Sequence, residues 1–154
     1  MKILVYGYGN PGRQDDALGL KLAEEVHIWA EKLGYDFIQT DSNYQLNIED
    51  ASTVNGSDLV IFADASKEDI TDFKFTLLSP DPKVDFTMHH VSPAFILQLC
   101  NEIYGQIPET YLLHIKGYQW DFMGDITPEA EINFKKALEY TKNYLKDYIQ
   151  NSDK

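Results

Sequence analysis

The pattern of hydrophobic and polar residues predicts that the chain opens with a strand followed by a helix. Residues 3–6 form a short apolar run that ends at Gly7, which predicts a buried strand. Beyond a glycine-rich loop, apolar residues recur at spacings of three and four over residues 18–33, and this spacing predicts an amphipathic helix. Gly34 suits the C-terminal end of that helix. A strand, a glycine-rich loop and a helix in this order are typical of a parallel α/β sheet.

The same reasoning predicts four further strands and two further helices. The predicted strands cover residues 35–40, 59–63, 73–78 and 111–115. The run 59–63 is continuously apolar, as expected of a strand buried on both faces, and 73–78 is predicted nearer an edge. Helices are predicted to begin at Ser92-Pro93 and Thr127-Pro128, where a capping side chain precedes a proline.

Alternating strands and helices predict a single-domain, three-layer α/β/α sandwich around a mostly parallel, five-stranded twisted sheet. We expect one domain over residues 1–150 and a polar C-terminal tail over residues 151–154. A chain of 154 residues with 44% hydrophobic residues is long enough for a substantial core.

Composition narrows the possible partners and the compartment. The net charge of −12 makes a nucleic acid or an anionic membrane surface an unfavourable partner. No stretch approaches the roughly 20 apolar residues that span a bilayer, and the N-terminus lacks the pattern of a signal peptide. The single cysteine, Cys100, excludes an internal disulfide and is predicted to lie in the core. We therefore expect a cytoplasmic protein.

The loop after the first strand carries two adjacent carboxylates, Asp15 and Asp16. A phosphate site at this position would need free backbone N–H groups, and Pro11 removes one of them. Ionised carboxylates at the start of a helix instead favour a cation. For Asp16, the alternative interpretation is a helix N-cap. Use of the glycine loop by a nucleotide binder or a small-molecule hydrolase is a further alternative, although the glycine spacing departs from the dinucleotide fingerprint.

Two other segments carry groups that could complete a metal site. Asp64 follows the buried run 59–63, and His89 and His90 precede the helix that begins at Ser92-Pro93. Side chains near the carboxyl ends of parallel strands meet in one crevice, and two carboxylates with an imidazole suit Zn, Ni or a similar ion. Asp64 could instead form a turn, and the histidines could be solvated.

The acidic and aromatic segment 120–125 also has two interpretations. It either packs as a crossover under the last helix or forms a lip for a protein partner.

The whole pattern resembles the [NiFe]-hydrogenase maturation endopeptidases. The most specific motif is Gly7-Tyr-Gly-Asn-Pro-Gly-Arg-Gln-Asp-Asp-Ala-Leu-Gly19, which is similar to that family's glycine-asparagine loop and acidic pair. In the resemblance, Asp16 and Asp64 fall at the family's two metal-contacting carboxylates, and His89 falls at its histidine, with His90 as the alternative. The chain departs from the common family pattern in the loop 40–44 and at Gln14, which stands where a glycine is common.

The resemblance implies a phosphorylase/hydrolase-like fold and a nickel-dependent endopeptidase. Such an enzyme removes the C-terminal extension of a [NiFe]-hydrogenase large-subunit precursor after nickel insertion. It also implies that nickel is supplied by the large subunit and that the enzyme holds no tightly bound metal of its own. We expect the protein to be a monomer. A hydrogenase assembly chaperone that senses nickel without cutting is the alternative.

Overall fold

The computed structural model of the chain describes residues 1–82 and 91–154. Within them, the strands are β1 (Ile3–Tyr8), β2 (Ile38–Asn43), β3 (Leu59–Ser66), β4 (Phe73–Leu77) and β5 (Glu109–Lys116). The helices are α1 (Leu18–Leu33), α2 (Asp50–Val54), α3 (Pro93–Tyr104) and α4 (Pro128–Ser152), and a short 3₁₀ helix covers Gln14–Ala17. None of the helices in the described part of the chain is long and apolar enough to cross a membrane.

The five described strands form one sheet in the order β2-β1-β3-β5-β4. The pairs β2–β1, β1–β3 and β3–β5 are parallel, whereas β4 pairs with β5 in the antiparallel direction. The predicted five-stranded, mostly parallel sheet is therefore confirmed, and the strand predicted near an edge lies at the edge.

Both faces of the sheet are covered, because alternate residues of the central strands enter different cores. Ile3 and Val5 pack in the core that contains apolar residues of α1 and α4. Leu4 and Tyr6 point to the other face, where residues of α2 and α3 cover them. The predicted three-layer arrangement is confirmed, and Cys100 lies buried in the second core as predicted.

Most strands have a boundary that differs by one to three residues from the predicted one, and the differences are largest for β2 and β3. Gly34 ends α1 in the left-handed conformation at φ 71°, and the next N–H, that of Tyr35, still donates to the carbonyl of Ala30. The chain therefore finishes a turn before β2 begins at Ile38, three residues later than predicted. β3 continues to Ser66, so Asp64 lies inside the strand and not in a turn after it.

Helix α2 was not predicted, because its five residues are too few to show a period. Asp50 at its start is buried and accepts a hydrogen bond from the backbone N–H of Asn47 at 2.8 Å. The hydroxyl of Tyr6 in β1 also donates to Asp50, at 3.0 Å. Burial, followed by the charge of Asp50, raises the pKa of Tyr6, so this phenol remains a hydrogen-bond donor.

The two predicted proline-containing helix starts are confirmed. The hydroxyl of Ser92 accepts a hydrogen bond from the N–H of Phe95 at 3.1 Å, and that of Thr127 accepts one from Ala130 at 3.3 Å. Each polar cap satisfies an N–H group that the first helical turn leaves without a partner.

Candidate functional site

A cleft of about 540 Å³ opens where β1 and β3 end. Its lining includes Asp16, Asp64, Tyr8, Arg13 and Tyr44. The sheet therefore brings together the two carboxylates that were predicted as metal ligands.

Close packing of glycines places α1 against the strand ends. A Cβ atom on Gly19 would lie 2.3 Å from the carbonyl oxygen of Ala63 and 2.8 Å from that of Tyr8. A Cβ atom on Gly7 would lie 2.1 Å from the carbonyl oxygen of Gly19. No side chain fits in either place, so the helix start can touch both central strands. This contact sets Asp16, three residues before Gly19, beside the end of β3.

The side chain of Asp16 hydrogen-bonds back to the glycine-rich loop that follows β1. Its Oδ2 accepts a hydrogen bond from the backbone N–H of Asn10 at 2.9 Å. The N-cap residue of α1 is Ala17, which has no capping side chain, so the N-cap interpretation of Asp16 is wrong. The carboxylate of Asp16 keeps further acceptor positions, since two oxygens offer about four, and it lines the cleft.

Asp64 has an environment that favours its neutral form. It is half-buried in β3, and burial, followed by the negative charge of Asp16, raises its pKa from 3.8 to about 7. The backbone of Ala65 and the hydroxyl of Tyr8 act in the opposite direction, because both stabilise the carboxylate by hydrogen bonding. Two carboxylates that repel each other in a cleft attract a proton or a cation.

Tyr8 is a site residue that the sequence did not reveal. Burial and the charge of Asp64 raise its pKa well above the ordinary value, so it faces Asp64 as a neutral phenol. A signal was available, because Tyr8 follows Leu4 and Tyr6 at a spacing of two and therefore shares their face at the end of β1.

Asp15 does not serve as a cation ligand, contrary to the expectation for the acidic pair. Its side chain is fully buried and accepts hydrogen bonds from the backbone N–H groups of Tyr118, Gln119 and Thr127 at 2.7–3.0 Å. The hydroxyl of Thr127 donates a fourth, at 2.9 Å. Asp15 is thus occupied in fixing the loop 117–127, because successive side chains of the 3₁₀ helix point in different directions.

The third predicted ligand, His89, and its alternative, His90, lie outside the described residues. Val91, the first described residue after them, lines the cleft. Among residues 1–82 and 91–154, no group of three His, Cys, Asp or Glu side chains is arranged to hold a metal ion.

The segment 120–125 is fixed to the glycine loop but exposes two apolar side chains. The N–H of Met123 donates to the carbonyl of Gly12 at 2.9 Å. The side chain of Gln14 hydrogen-bonds to the side chain of Gln119 and to the N–H of Asp121, each at 3.0 Å. Phe122 and Met123 nevertheless remain 74% and 97% exposed.

The backbone conformation at Gln14 explains why this position suits glycine. Its φ of 43° lies in the left-handed region, which side chains other than glycine adopt at a cost. The two hydrogen bonds of its side chain to the loop 117–127 offset that cost.

Comparison with known proteins identifies the fold. No protein-family model matches the sequence, and no curated protein matches it. The structure is similar to the [NiFe] hydrogenase maturation protease HycI of Thermococcus kodakarensis, with a TM-score of 0.74 and 17% identity over 94% of this chain and 92% of that one. It is also similar to the hydrogenase maturating endopeptidase HybD of Escherichia coli, with a TM-score of 0.73 and 21% identity over 96% and 94%.

A third neighbour, the hydrogenase 2 maturation peptidase of a Thaumarchaeota archaeon, has a TM-score of 0.68 and 19% identity over 94% of this chain and 98% of its own. These neighbours confirm the resemblance that the sequence motifs indicate, at the level of the fold. The chain has the α/β fold of the hydrogenase maturation proteases over nearly its whole length.

Proposed function

We propose that this protein is an endopeptidase that removes the C-terminal extension of a [NiFe]-hydrogenase large-subunit precursor after nickel insertion. The observation that carries the proposal is the pairing of Asp16 and Asp64 in one cleft. This cleft lies in a chain with the fold of maturation endopeptidases.

The chemistry of the cleft suits a cation that arrives with the substrate. Burial, followed by repulsion from Asp16, raises the pKa of Asp64 to about 7, and a divalent ion placed between the two carboxylates would replace that repulsion by attraction. His89 is proposed as the third ligand, and Val91, two residues along the chain, lines the same cleft. Two carboxylates and an imidazole leave positions open on an ion for other ligands.

Each residue then has a defined part in the proposed reaction. Asp16 and Asp64 bind the nickel of the precursor and so position the adjacent polypeptide in the cleft. Tyr8 holds Asp64 in place as a neutral donor. Bound nickel would polarise a carbonyl group and lower the pKa of a water molecule.

The test is incubation of the purified protein with nickel-loaded and nickel-free precursor, followed by measurement of the mass of the large subunit. We expect the mass of the extension to be lost only from the nickel-loaded precursor. Binding of that precursor without loss of mass would instead support the assembly chaperone.

Two amide variants connect the activity to the carboxylates. Asp16→Asn keeps an oxygen that can accept from the N–H of Asn10, and Asp64→Asn keeps one that can accept from Tyr8. Both variants should therefore fold, yet lose processing, because a divalent ion needs negative oxygen ligands. The exposed Asp69→Asn removes the same charge elsewhere and serves as the matched control. Processing at the wild-type rate by both amide variants would contradict the proposal.

A further inference from the structure

Arg13 is the only arginine in the chain, and it lines the cleft that holds Asp16 and Asp64. Its function is not explained by the proposed nickel ligands, because a guanidinium group repels a metal ion. A cation that lines the same cleft as two carboxylates needs a separate explanation.

The side chain of Arg13 is held at two points. Its Nε–H donates to the backbone carbonyl of Trp120 at 3.1 Å. Its guanidinium carbon lies 5.3 Å from the centre of the Phe122 ring, within the range of a cation–π contact. Both partners belong to the loop 117–127, which Asp15 fixes to the protein through four hydrogen bonds. Arg13 is therefore ordered before any ligand binds, which lowers the entropic cost of binding.

The remaining donors of Arg13 have no partner within the described residues. A guanidinium group has five N–H donors, and only Nε–H is used within residues 1–82 and 91–154. In the same part of the chain, no carboxylate lies within 4.0 Å of it as an ion pair. Its acidic neighbours in sequence are engaged elsewhere, Asp15 by the loop 117–127 and Asp16 by the N–H of Asn10.

We propose that Arg13 binds a carboxylate of the substrate polypeptide and thereby determines specificity. This inference rests on the proposed function and extends it. The planar donors of arginine match a carboxylate in two parallel hydrogen bonds. Arg13 is the only cationic side chain among the described residues that line the cleft, so the favourable position there for a negative group of the substrate is at Arg13. The carboxylate is either an acidic side chain of the C-terminal extension or the terminal carboxylate of that extension.

Steady-state processing of the nickel-loaded precursor by Arg13→Gln tests the proposal. Loss of a charged hydrogen bond should raise KM on the order of tenfold to a hundredfold, while kcat changes by less than about twofold, because uniform binding is lost. Lys67→Gln is the matched control, since the ammonium of Lys67 lies 4.9 Å from the Trp120 ring of the same loop. This control removes the same charge and should leave KM unchanged.

Changes in the substrate separate recognition from a structural effect of Arg13 on the loop. Each acidic side chain of the extension is replaced by its amide, and one further precursor carries an amidated C-terminus. On the one substrate that lacks the recognised carboxylate, wild type and Arg13→Gln should have the same KM. If Arg13→Gln raises KM equally on every substrate, or on none, the proposal is wrong.

A spectroscopic measurement reports on Arg13 directly. Because the chain has a single arginine, its side-chain Nε–H gives one resonance in a ¹⁵N-labelled sample. A synthetic peptide with the sequence of the extension should shift this resonance, and the peptide without the recognised carboxylate should not. Equal shifts with both peptides would overturn the inference. If wild type does not process the precursor at all, the proposed function fails; if it does and Arg13→Gln behaves like wild type, only this inference fails.

Discussion

The raised pKa of Asp64 predicts a stability that depends on pH and that one substitution removes. In the metal-free protein, the pKa of this carboxyl is raised from 3.8 to about 7 by burial and by Asp16. Below a pH of about 4, Asp64 is protonated in both the folded and the unfolded chain, and the stability due to its raised pKa is fully present. As the pH rises from about 4 to about 7, the unfolded chain releases its proton first, so this stability is lost. Above a pH of about 7 the loss is complete.

The magnitude follows from the size of the shift. About three pKa units at about 1.4 kcal/mol each set an upper bound of about 4 kcal/mol on the cost of the ionised group. Because Asp64 is only half-buried and lines an open cleft, solvent screening should reduce the cost to about 2 kcal/mol. For a chain of this length, that corresponds to a Tm difference of about 4–8 °C.

Asp64→Asn tests this reasoning by thermal denaturation between pH 4 and pH 8 with a chelator present. We expect the variant to melt at the wild-type temperature near pH 4 and about 4–8 °C above it near pH 8. Asp69→Asn, which removes an exposed carboxylate, should leave the wild-type pH dependence in place. The same Tm for wild type and Asp64→Asn at pH 8 would refute the claim that ionised Asp64 destabilises the fold. An equal rise in the Tm of Asp69→Asn would refute it as well.

Two further predictions concern the histidines and the buried member of the acidic pair. His89→Ala should eliminate processing of the nickel-loaded precursor, measured by the mass of the large subunit, whereas His90→Ala should keep most of it; the reverse result would move the ligand to His90. Asp15→Asn should lower the free energy of unfolding on the order of 3 kcal/mol. The N–H groups of the introduced amide would face N–H and O–H donors from which the wild-type carboxylate accepts hydrogen bonds. Thermal denaturation measures this loss, and an unchanged Tm would show that the four hydrogen bonds of Asp15 do not fix the loop 117–127.

The architecture was predictable because its signals are local. The run 59–63 is apolar without interruption, and it forms the centre of the sheet. The polar residues before Pro93 and Pro128 define helix starts within three residues of sequence. In contrast, the hydrogen bond that links α2 to β1 joins Tyr6 to Asp50, which are 44 residues apart. No period within the five residues of α2 could reveal it.

Some residues of the candidate site were likewise predictable from the sequence, and others were not. Asp16 and Asp64 were predictable because strand ends on one edge of a parallel sheet meet in one crevice. Tyr8 was missed because its spacing places it on the face of the core residues Leu4 and Tyr6, although its position at the end of β1 was a signal. The function of Asp15 could not be predicted, since its partners lie more than 100 residues along the chain. The identity of the third ligand stays a prediction, because His89 and His90 lie outside the described residues.

Asp15 and Asp16 show how one loop can serve stability and chemistry at once. A cleft that holds two repelling carboxylates lowers the stability of the fold, and the pKa of Asp64 reflects that cost. Asp15, next in sequence to one of those carboxylates, is fully buried and satisfied by four donors. Those bonds fix the loop whose Trp120 carbonyl orients Arg13. The adjacent acids therefore have complementary parts, since Asp15 fixes the loop that orients Arg13, while Asp16 lines the same cleft.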